Sequence, residues 1–525
     1  MQDLRVVRED GPLQVALCRL YLDGADVSGK AKASSTTVYV FSWTPIGQTK
    51  TMQARRICTV FDKRRACRCG CSGACTINAI WHRLSWSWCA WRDGYHPTRG
   101  PLNETLTGTW ANIAGQKIKG RGQAAHTGAD WEALADSFGQ RRWNHLLCPC
   151  PWCDCNLGGM HNYNMQHKLL TRADYDSEME KSEVIATLDS PGLADALQEA
   201  LQPDLKNNGS HGRALKYGVG HLKAGLRLEA SREVPDNFVD IRTLTIGTRL
   251  HFYKPDNSNR LRFWCALFYC YHFGSEAALE PDAQVGDLLH TVDGGASQYL
   301  SGAIFDLFIK HAVQIFNIAG GRVEVVRKRA VVELRSCIQK WARTPEGKKY
   351  GDVYVELHNL IGGGAEPCVV AKAMDSRALF FFARHILSQH IRIFLMLPDD
   401  VDDVAAKANT LLASAGALAQ WYEIIFKYGY QIPRHECAQA VRLAKKSVNL
   451  YCTATGYNAK PKHHALVDMS RLLWRTGNPK MFSTYMDESF NGLIGNLARS
   501  VHPSTLAIRV LRKYKLLRDL LELPY

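Results

Sequence analysis

Two groups of closely spaced cysteines are the most chemically specific feature of this sequence. Ten of its 17 cysteines lie between Cys58 and Cys155. Thiolates bind Zn²⁺ tetrahedrally, and a Cys-x-x-Cys pair such as Cys150 and Cys153 directs two sulfur atoms at one ion. The sequence therefore predicts structural zinc, with ligands drawn from Cys67, Cys69, Cys71 and Cys75 and from Cys148, Cys150, Cys153 and Cys155.

Four cysteines within the eight residues of the second group seldom all bind the same ion. We therefore expect mixed sites, in which His161, His167 or a cysteine of the first group completes the ligand shell. Zinc is favoured over disulfides because the charged N-terminus lacks the apolar segment of a secretory signal. Free cysteines in a reducing compartment are the alternative interpretation.

Asp23 is a candidate ligand for a different kind of metal. It follows the apolar residues of LYLDG and precedes Gly24, a setting in which a carboxylate leaves a strand at the edge of a sheet. Phosphoryl transfer on nucleic acids can be run by two Mg²⁺ ions about 3.5–4 Å apart. Such ions need about three carboxylates that converge from separate elements. The alternative interpretation is that Asp23 only stabilises a turn.

The elements around this aspartate predict an α/β core. Three β-like runs over 13–22, 36–44 and 54–61 are typical of an antiparallel meander, and a helix with one apolar face follows over 76–94. A further strand then leads into a helix with Asp130 at the junction, where this residue is also a natural N-cap. The order β-β-β-α-β-α is the ribonuclease H-like arrangement.

The rest of the chain is mainly helical. The first part of the core, with a cysteine-rich loop at 58–75, is predicted over 1–147, and a zinc knuckle follows over 148–173. A helical insertion is predicted over 174–460, and a C-terminal catalytic part with a basic final helix over 461–525. Glu488 lies early in the middle helix of the last part. The most apolar runs are too short or too interrupted by arginine and histidine to span a bilayer, so no membrane partner is expected.

In this order the motifs resemble those of cut-and-paste DDE transposases of the CACTA (En/Spm) and KDZ kind. The motifs are LYLDG, the strand ending in ADW followed by CPCPWC, the long insertion, the Lys-His-His segment at 462–464 and FSTYMDESFNGLIGNLARSVHP. The stretch CRCGCSGACT with its tryptophan-rich helix is also similar to transposase-like proteins of dinoflagellate algae. The passage after Gly477 departs from the family, because it reads Asn-Pro where the family has Gly-Pro.

The resemblance implies a nuclear enzyme that cleaves and joins DNA strands with Mg²⁺ or Mn²⁺. It assigns Asp23, Asp130 and Glu488 as the three metal-binding acids, with Asp293 as the rival for the second and Asp487 as the rival for the third. Two other functions stay open. One is a catalytically inactive, zinc-stabilised DNA-binding or scaffold protein descended from a transposase, and the other is a nuclease of the same fold.

The charge balance favours a polyanionic partner. The formal net charge is +15 and the pI is about 9.1, which double-stranded DNA would complement. His463 and His464 could contact a phosphate or pack in the core, and a homo-oligomer stays open. The candidate phosphate-binding side chains are Arg64, Arg65, Lys117, Lys119, Arg121, Arg512, Lys513 and Lys515.

Overall fold

The structure, a computed structural model, describes residues 7–8, 11–12, 15–27, 37–46, 54–66, 74–101, 103–118, 120–128, 150, 152–155, 157–160, 167–169, 286–350, 366–397 and 403–521. The long elements of the first 130 residues are β1 (Val15–Asp26), β2 (Thr37–Pro45), β3 (Arg56–Asp62), α1 (Ala74–Asp93) and β4 (Arg121–Gly128). The long helices that follow are α2 (Ser297–Lys310), α3 (Val323–Ala342), α4 (Ala373–Leu395), α5 (Val404–Lys427), α6 (Arg434–Thr455), α7 (Pro461–Thr476), α8 (Tyr485–Arg499) and α9 (Leu506–Leu521).

Short elements lie before and between these strands and helices. Val7–Arg8 pairs with Gly11–Pro12 as a two-residue ribbon. Single helical turns or short helices cover Lys63–Arg65, Thr109–Ile113, Leu157–Met160, Leu289–Ala296, Ala312–Phe316, Gly347–Tyr350, Pro479–Phe482 and Pro503–Thr505. Two compact units result: one contains the four-stranded sheet with α1, α8 and α9, and the other contains α2 to α7. The predicted mixed α/β class is confirmed at this level.

The sheet has the strand order β3-β2-β1-β4. Strands β1, β2 and β3 form the predicted antiparallel meander, and β4 lies parallel to β1. A parallel neighbour needs a crossover connection, and the stretch between β3 and β4 supplies one that contains α1. The last pair in the β1–β4 ladder is Tyr21 with Gly128.

Helix α1 covers one face of the sheet with tryptophan. The ring of Trp81 meets that of Phe41 at 5.3 Å between centroids, and the ring of Trp43 lies 5.8 Å from that of Trp88 and 5.0 Å from that of Trp91. A side chain at Gly122 would collide with Trp91, because an added Cβ would lie 2.4 Å from that ring. Glycine is thus required where α1 crosses β4.

Helices α8 and α9 pack on the other face. Alternate residues of a strand point to opposite faces, so Val38 and Val40 face away from the side that Phe41 shares with α1. They form a buried cluster with Val60 of β3 and with Phe490 and Ile494 of α8. The sheet is therefore a middle layer between α1 and the two C-terminal helices.

The second unit is a helical assembly with its own core. Leu411, Leu418 and Ile425 repeat at heptad spacing along α5 and are all buried, as expected for a helix that packs on one face. The structure divides the predicted C-terminal part 461–525 between the units, because α7 belongs to the helical unit and α8 and α9 belong to the sheet unit. Among the described residues, no helix combines the length and the apolarity needed to cross a bilayer.

Candidate functional site

Asp23 lies inside β1 and not beyond its end. The strand continues to Asp26 because the β1–β2 ladder continues, with Asp23 opposite Val40 and Ala25 opposite Val38. The expectation that the strand stops before Asp23 is therefore wrong, because the strand extends as far as Asp26. The half-buried carboxylate accepts hydrogen bonds from the Tyr21 hydroxyl at 2.9 Å and from the Gly24 backbone N–H at 2.6 Å.

Asn491 of α8 is a third partner of this carboxylate. Its Nδ2 donates to Asp23 Oδ2 at 3.2 Å, which ties the helix directly to the strand. The Oδ1 atom of the same amide is buried and has no hydrogen-bond partner among the described residues. The sequence analysis missed Asn491. Its position three residues after Glu488, on the same helical face, is a signal that could have found it.

Glu488 and Asp487 are adjacent on α8 but have different environments. The Asp487 carboxylate is 1% exposed and binds two fully buried guanidinium groups, those of Arg19 and Arg55, the latter at 2.7 Å. Both of its oxygen atoms are thus engaged by structural cations. Glu488 is half-buried in the first turn of the helix. The choice between Glu488 and Asp487 as the third acid stays a prediction.

The two candidates for the second acid differ in what the structure describes. Asp130 lies outside the described residues, two positions after the end of β4 at Gly128. Asp293 is fully buried in the helical unit, accepts a hydrogen bond from the Tyr422 hydroxyl and lies 4.0 Å from the Arg377 guanidinium. These contacts place Asp293 among buried partners within the helical unit.

Three cysteines of the second group form a cluster of metal-ligand side chains. Cys150, Cys153 and Cys155 are all buried, and their sulfur atoms all lie within 4.8 Å of one another. A tetrahedron with Zn–S bonds of about 2.3 Å has edges of about 3.8 Å, so small side-chain rotations suffice to close on an ion. Three thiolates suit zinc, and this group could hold such a metal.

The remaining predicted ligands are not described. Cys148, Cys67, Cys69 and Cys71 lie outside the described residues, as does His161, and only the backbone of Cys75 is described. His167, another proposed ligand, has its Nε2 3.1 Å from the Gly159 carbonyl oxygen. His464, for which the sequence analysis favoured a core role, is buried in the helical unit.

His464 lies beside a buried carboxylate of the helical unit. Its Nε2 lies 3.0 Å from the carboxylate of Asp468, whose other oxygen accepts a hydrogen bond from Arg471 at 2.8 Å. These contacts fix the His464 ring within that unit.

The cysteine segment is also held locally. The Trp152 backbone N–H donates to the Cys150 sulfur at 3.4 Å, which stabilises a thiolate. The Asp154 backbone N–H donates to the Lys168 carbonyl oxygen at 3.1 Å, and the Lys168 backbone N–H donates to the Asp154 carboxylate at 2.9 Å. Cys153 and Leu169 form an isolated antiparallel β-bridge.

His463 is a core residue, as the sequence analysis favoured. It is 1% exposed, its ring lies 4.8 Å from that of Tyr451, and its Nδ1 accepts a hydrogen bond from the Lys460 backbone N–H at 3.0 Å. Burial lowers the pKa of His463 from 6.5 to about 3, and the charge of Lys460 adds to this. The folded protein therefore holds this imidazole in its neutral form.

Acid is expected to destabilise the protein through His463. The unfolded chain takes up a proton below about pH 6.5 and the folded chain only near pH 3, so this contribution to stability is complete above pH 6.5 and is lost as the pH falls. It should cost about 2 kcal/mol between pH 7 and pH 5. Urea unfolding at the two pH values measures it. His463→Gln should remove this part of the pH dependence, exposed His435→Gln should keep it, and equal slopes for wild type and His463→Gln would contradict it.

The predicted phosphate-binding residues are mostly exposed but differ in their partners. Arg64 forms an ion pair with Asp62 at 2.8 Å, Arg65 donates to the Ser504 carbonyl oxygen at 3.1 Å, and Arg121 donates to the Asp93 carbonyl oxygen at 2.5 Å. Lys513 donates to Ser500. Lys117, Arg512 and Lys515 are exposed, and Lys119 lies outside the described residues. The role of these side chains in binding phosphate stays a prediction.

Comparison with known proteins found no matching protein-family model and no similar curated protein. The resemblance to CACTA and KDZ transposases is thus a hypothesis that depends on the motifs and on the site geometry described above.

Proposed function

We propose that this protein is a DDE-type transposase, or a protein derived from one, that acts on double-stranded DNA in the nucleus. It would cleave a strand with water and transfer a 3′-hydroxyl end to a new phosphodiester. The strand order β3-β2-β1-β4, with an antiparallel meander, a helical crossover and a parallel fourth strand, supports a ribonuclease H-like core. The basic net charge of +15 supports a polyanionic substrate.

The observation that carries the proposal is the hydrogen bond from Asn491 to Asp23. It brings α8, with Glu488 one turn before Asn491, against the strand that carries the first acid. The β1–β4 pairing supports Asp130 as the second acid, since the pair Tyr21–Gly128 precedes both Asp23 and Asp130 by two residues. The three acids are thus carried by, or directly follow, neighbouring elements of one unit.

The residues around Asp23 fit a hard cation. Its carboxylate is oriented by hydrogen bonds from the neutral donors Tyr21, Gly24 and Asn491. The buried Asn491 Oδ1, with no hydrogen-bond partner among the described residues, is a further oxygen ligand of the type that Mg²⁺ accepts. Two Mg²⁺ or Mn²⁺ ions, when bound, would supply activation of the attacking oxygen and charge stabilisation of the leaving oxygen.

The protein's own contribution is to position these ligands. Asp23 is fixed on a strand, and the turn of α8 that carries Glu488 is anchored through the ion pairs of Asp487. Ligands on rigid elements keep the geometry that two-metal chemistry needs.

Nicking of supercoiled DNA in the presence of Mg²⁺ or Mn²⁺ tests the proposal. The wild type should nick and Asp23→Asn should not, while Asp93→Asn, a change at an exposed acid of the same unit, should behave as wild type. DNA binding without nicking by the wild type would overturn the enzyme assignment in favour of the scaffold. Nicking without joining of a 3′-end would favour the nuclease.

A further inference from the structure

Two exposed aromatic side chains mark a surface of the helical unit that the proposed chemistry does not use. Phe426, near the end of α5, is 41% exposed, and Trp474, in the last turn of α7, is 57% exposed. Large aromatic side chains are usually buried because they carry much apolar area. Both rings are exposed, and each lies next to cationic side chains, which needs an explanation.

Each of these rings is covered by two cationic groups. The guanidinium groups of Arg434 and Arg475 lie 5.7 Å and 5.6 Å from the Trp474 ring centroid. The Lys480 ammonium and the Arg377 guanidinium lie 5.4 Å and 5.1 Å from that of Phe426. We call Phe426, Lys427, Arg434, Trp474, Arg475 and Lys480 the cation–aromatic surface.

Hydrogen bonds hold this surface together. After α7 ends, the amide Nδ2 of Asn478 donates to the carbonyl oxygens of Ile425, Tyr428 and Gly429 at 2.8–3.0 Å. Lys480 donates to the Phe426 carbonyl oxygen at 3.0 Å. The chain that follows Trp474 is thereby fixed to the chain that carries Phe426.

The surface is also positively charged. Lys427 is paired with Glu436 at 3.2 Å, but within the described part of the chain no carboxylate lies within ion-pair distance of Arg434, which is exposed at the start of α6. Lys480 bonds only a carbonyl oxygen and lies over a ring in its described contacts. Each of these cationic groups can therefore leave its aromatic ring and contact a phosphate with little loss of free energy.

We propose that the cation–aromatic surface binds single-stranded nucleic acid. Unpaired bases would stack on Trp474 and Phe426, and Arg434, Arg475 and Lys480 would contact the adjacent phosphates. A base stacked on an aromatic side chain gains more than an exposed cation–π contact, so a base displaces a cation from the ring and the freed cation meets the backbone. A duplex keeps its bases paired and stacked and therefore cannot use the rings. This inference does not rest on the proposed metal chemistry.

Fluorescence anisotropy with a labelled oligothymidylate of about 16 nucleotides tests the inference on the full chain. Buffer without added Mg²⁺ or Mn²⁺ separates binding from any strand cleavage. Trp474→Ala should weaken binding roughly 5- to 100-fold, and Trp474→Phe should restore most of it. Arg434→Gln should weaken binding and lower its salt dependence. Trp110→Ala, at a ring that is 51% exposed in the sheet unit, and Lys446→Gln on α6 should bind as wild type.

Three results would overturn the inference. Trp474→Ala could bind the oligonucleotide as tightly as wild type with an unchanged thermal unfolding curve. A duplex of the same length could bind as tightly and with the same sensitivity to Trp474→Ala, which would make the rings irrelevant to unpaired bases. Polyglutamate could displace the oligonucleotide at equal charge concentration, and this would indicate an acidic protein as the partner.

Discussion

Replacing Glu488 with glutamine is expected to abolish metal-dependent nicking of DNA with little change in the free energy of unfolding. Replacing its neighbour Asp487 with asparagine is expected to destabilise the fold around the site. Glutamine preserves the size of Glu488 but removes the charge that a divalent cation needs. The loss should be at least about 100-fold in nicking rate, because a metal ligand supplies several kcal/mol of transition-state stabilisation. Glu488 is half-buried, so its replacement should change the unfolding free energy little.

Asp487 should behave in the opposite way. Its carboxylate is 1% exposed and is the partner of both Arg19 and Arg55. Asp487→Asn removes the negative charge that two buried guanidinium groups contact, which costs about 3–5 kcal/mol. Nicking would then be lost only because α8 is no longer held against β1. Urea unfolding separates this cause from a direct loss of metal binding.

The matched control for both variants is Asp93→Asn. Asp93 is 54% exposed and is paired with Arg92 at 2.6 Å, and a surface ion pair contributes about 0–1 kcal/mol. A stable Asp487→Asn protein that no longer nicks, together with a Glu488→Gln protein that still does, would reverse the assignment and make Asp487 the third acid.

Removing one ligand of the cysteine cluster is expected to remove a metal ion from the protein. The purified wild type should contain about one zinc ion bound by Cys150, Cys153 and Cys155. Cys153→Ser and Cys155→Ser should each lose that ion and lower the unfolding temperature, because the binding free energy of structural zinc adds to the folding free energy. Zinc content measured by elemental analysis, with thermal unfolding before and after chelation, checks both effects.

Cys452→Ser is the control, since this half-buried cysteine of α6 is not part of the cluster. It should keep both the zinc and the unfolding temperature of the wild type. A wild type without zinc that also resists chelators unchanged would overturn the metal assignment. Loss of zinc in Cys153→Ser but not in Cys155→Ser would leave Cys153 as a ligand and exclude Cys155.

The local elements of the sheet unit could be predicted from the sequence. The three runs rich in valine, tyrosine and phenylalanine became β1, β2 and β3, and the tryptophan-rich stretch became α1, because alternating and helical apolar periods each bury one face. The end of β1 could not be read from the chain. Gly24 suggested a turn, but the partner strand supplies ladder hydrogen bonds as far as Asp26, and pairing of this kind outweighs local propensity.

The sequence by itself determined which chemistry is available: thiolates at Cys-x-x-Cys spacing for a soft metal, acids near strand and helix ends for a hard one, and an excess of cations. The tertiary structure alone decided which residues meet. It brought the sulfur atoms of Cys150, Cys153 and Cys155 together, and it separated Asp487 from Glu488 by giving Asp487 two buried arginines. The physical reason is that side-chain type is local, whereas burial and distance depend on contacts between segments far apart in the chain. Asp23 illustrates this: on its own it indicates a turn, and only the hydrogen bond from Asn491 brings it to the helix of Glu488.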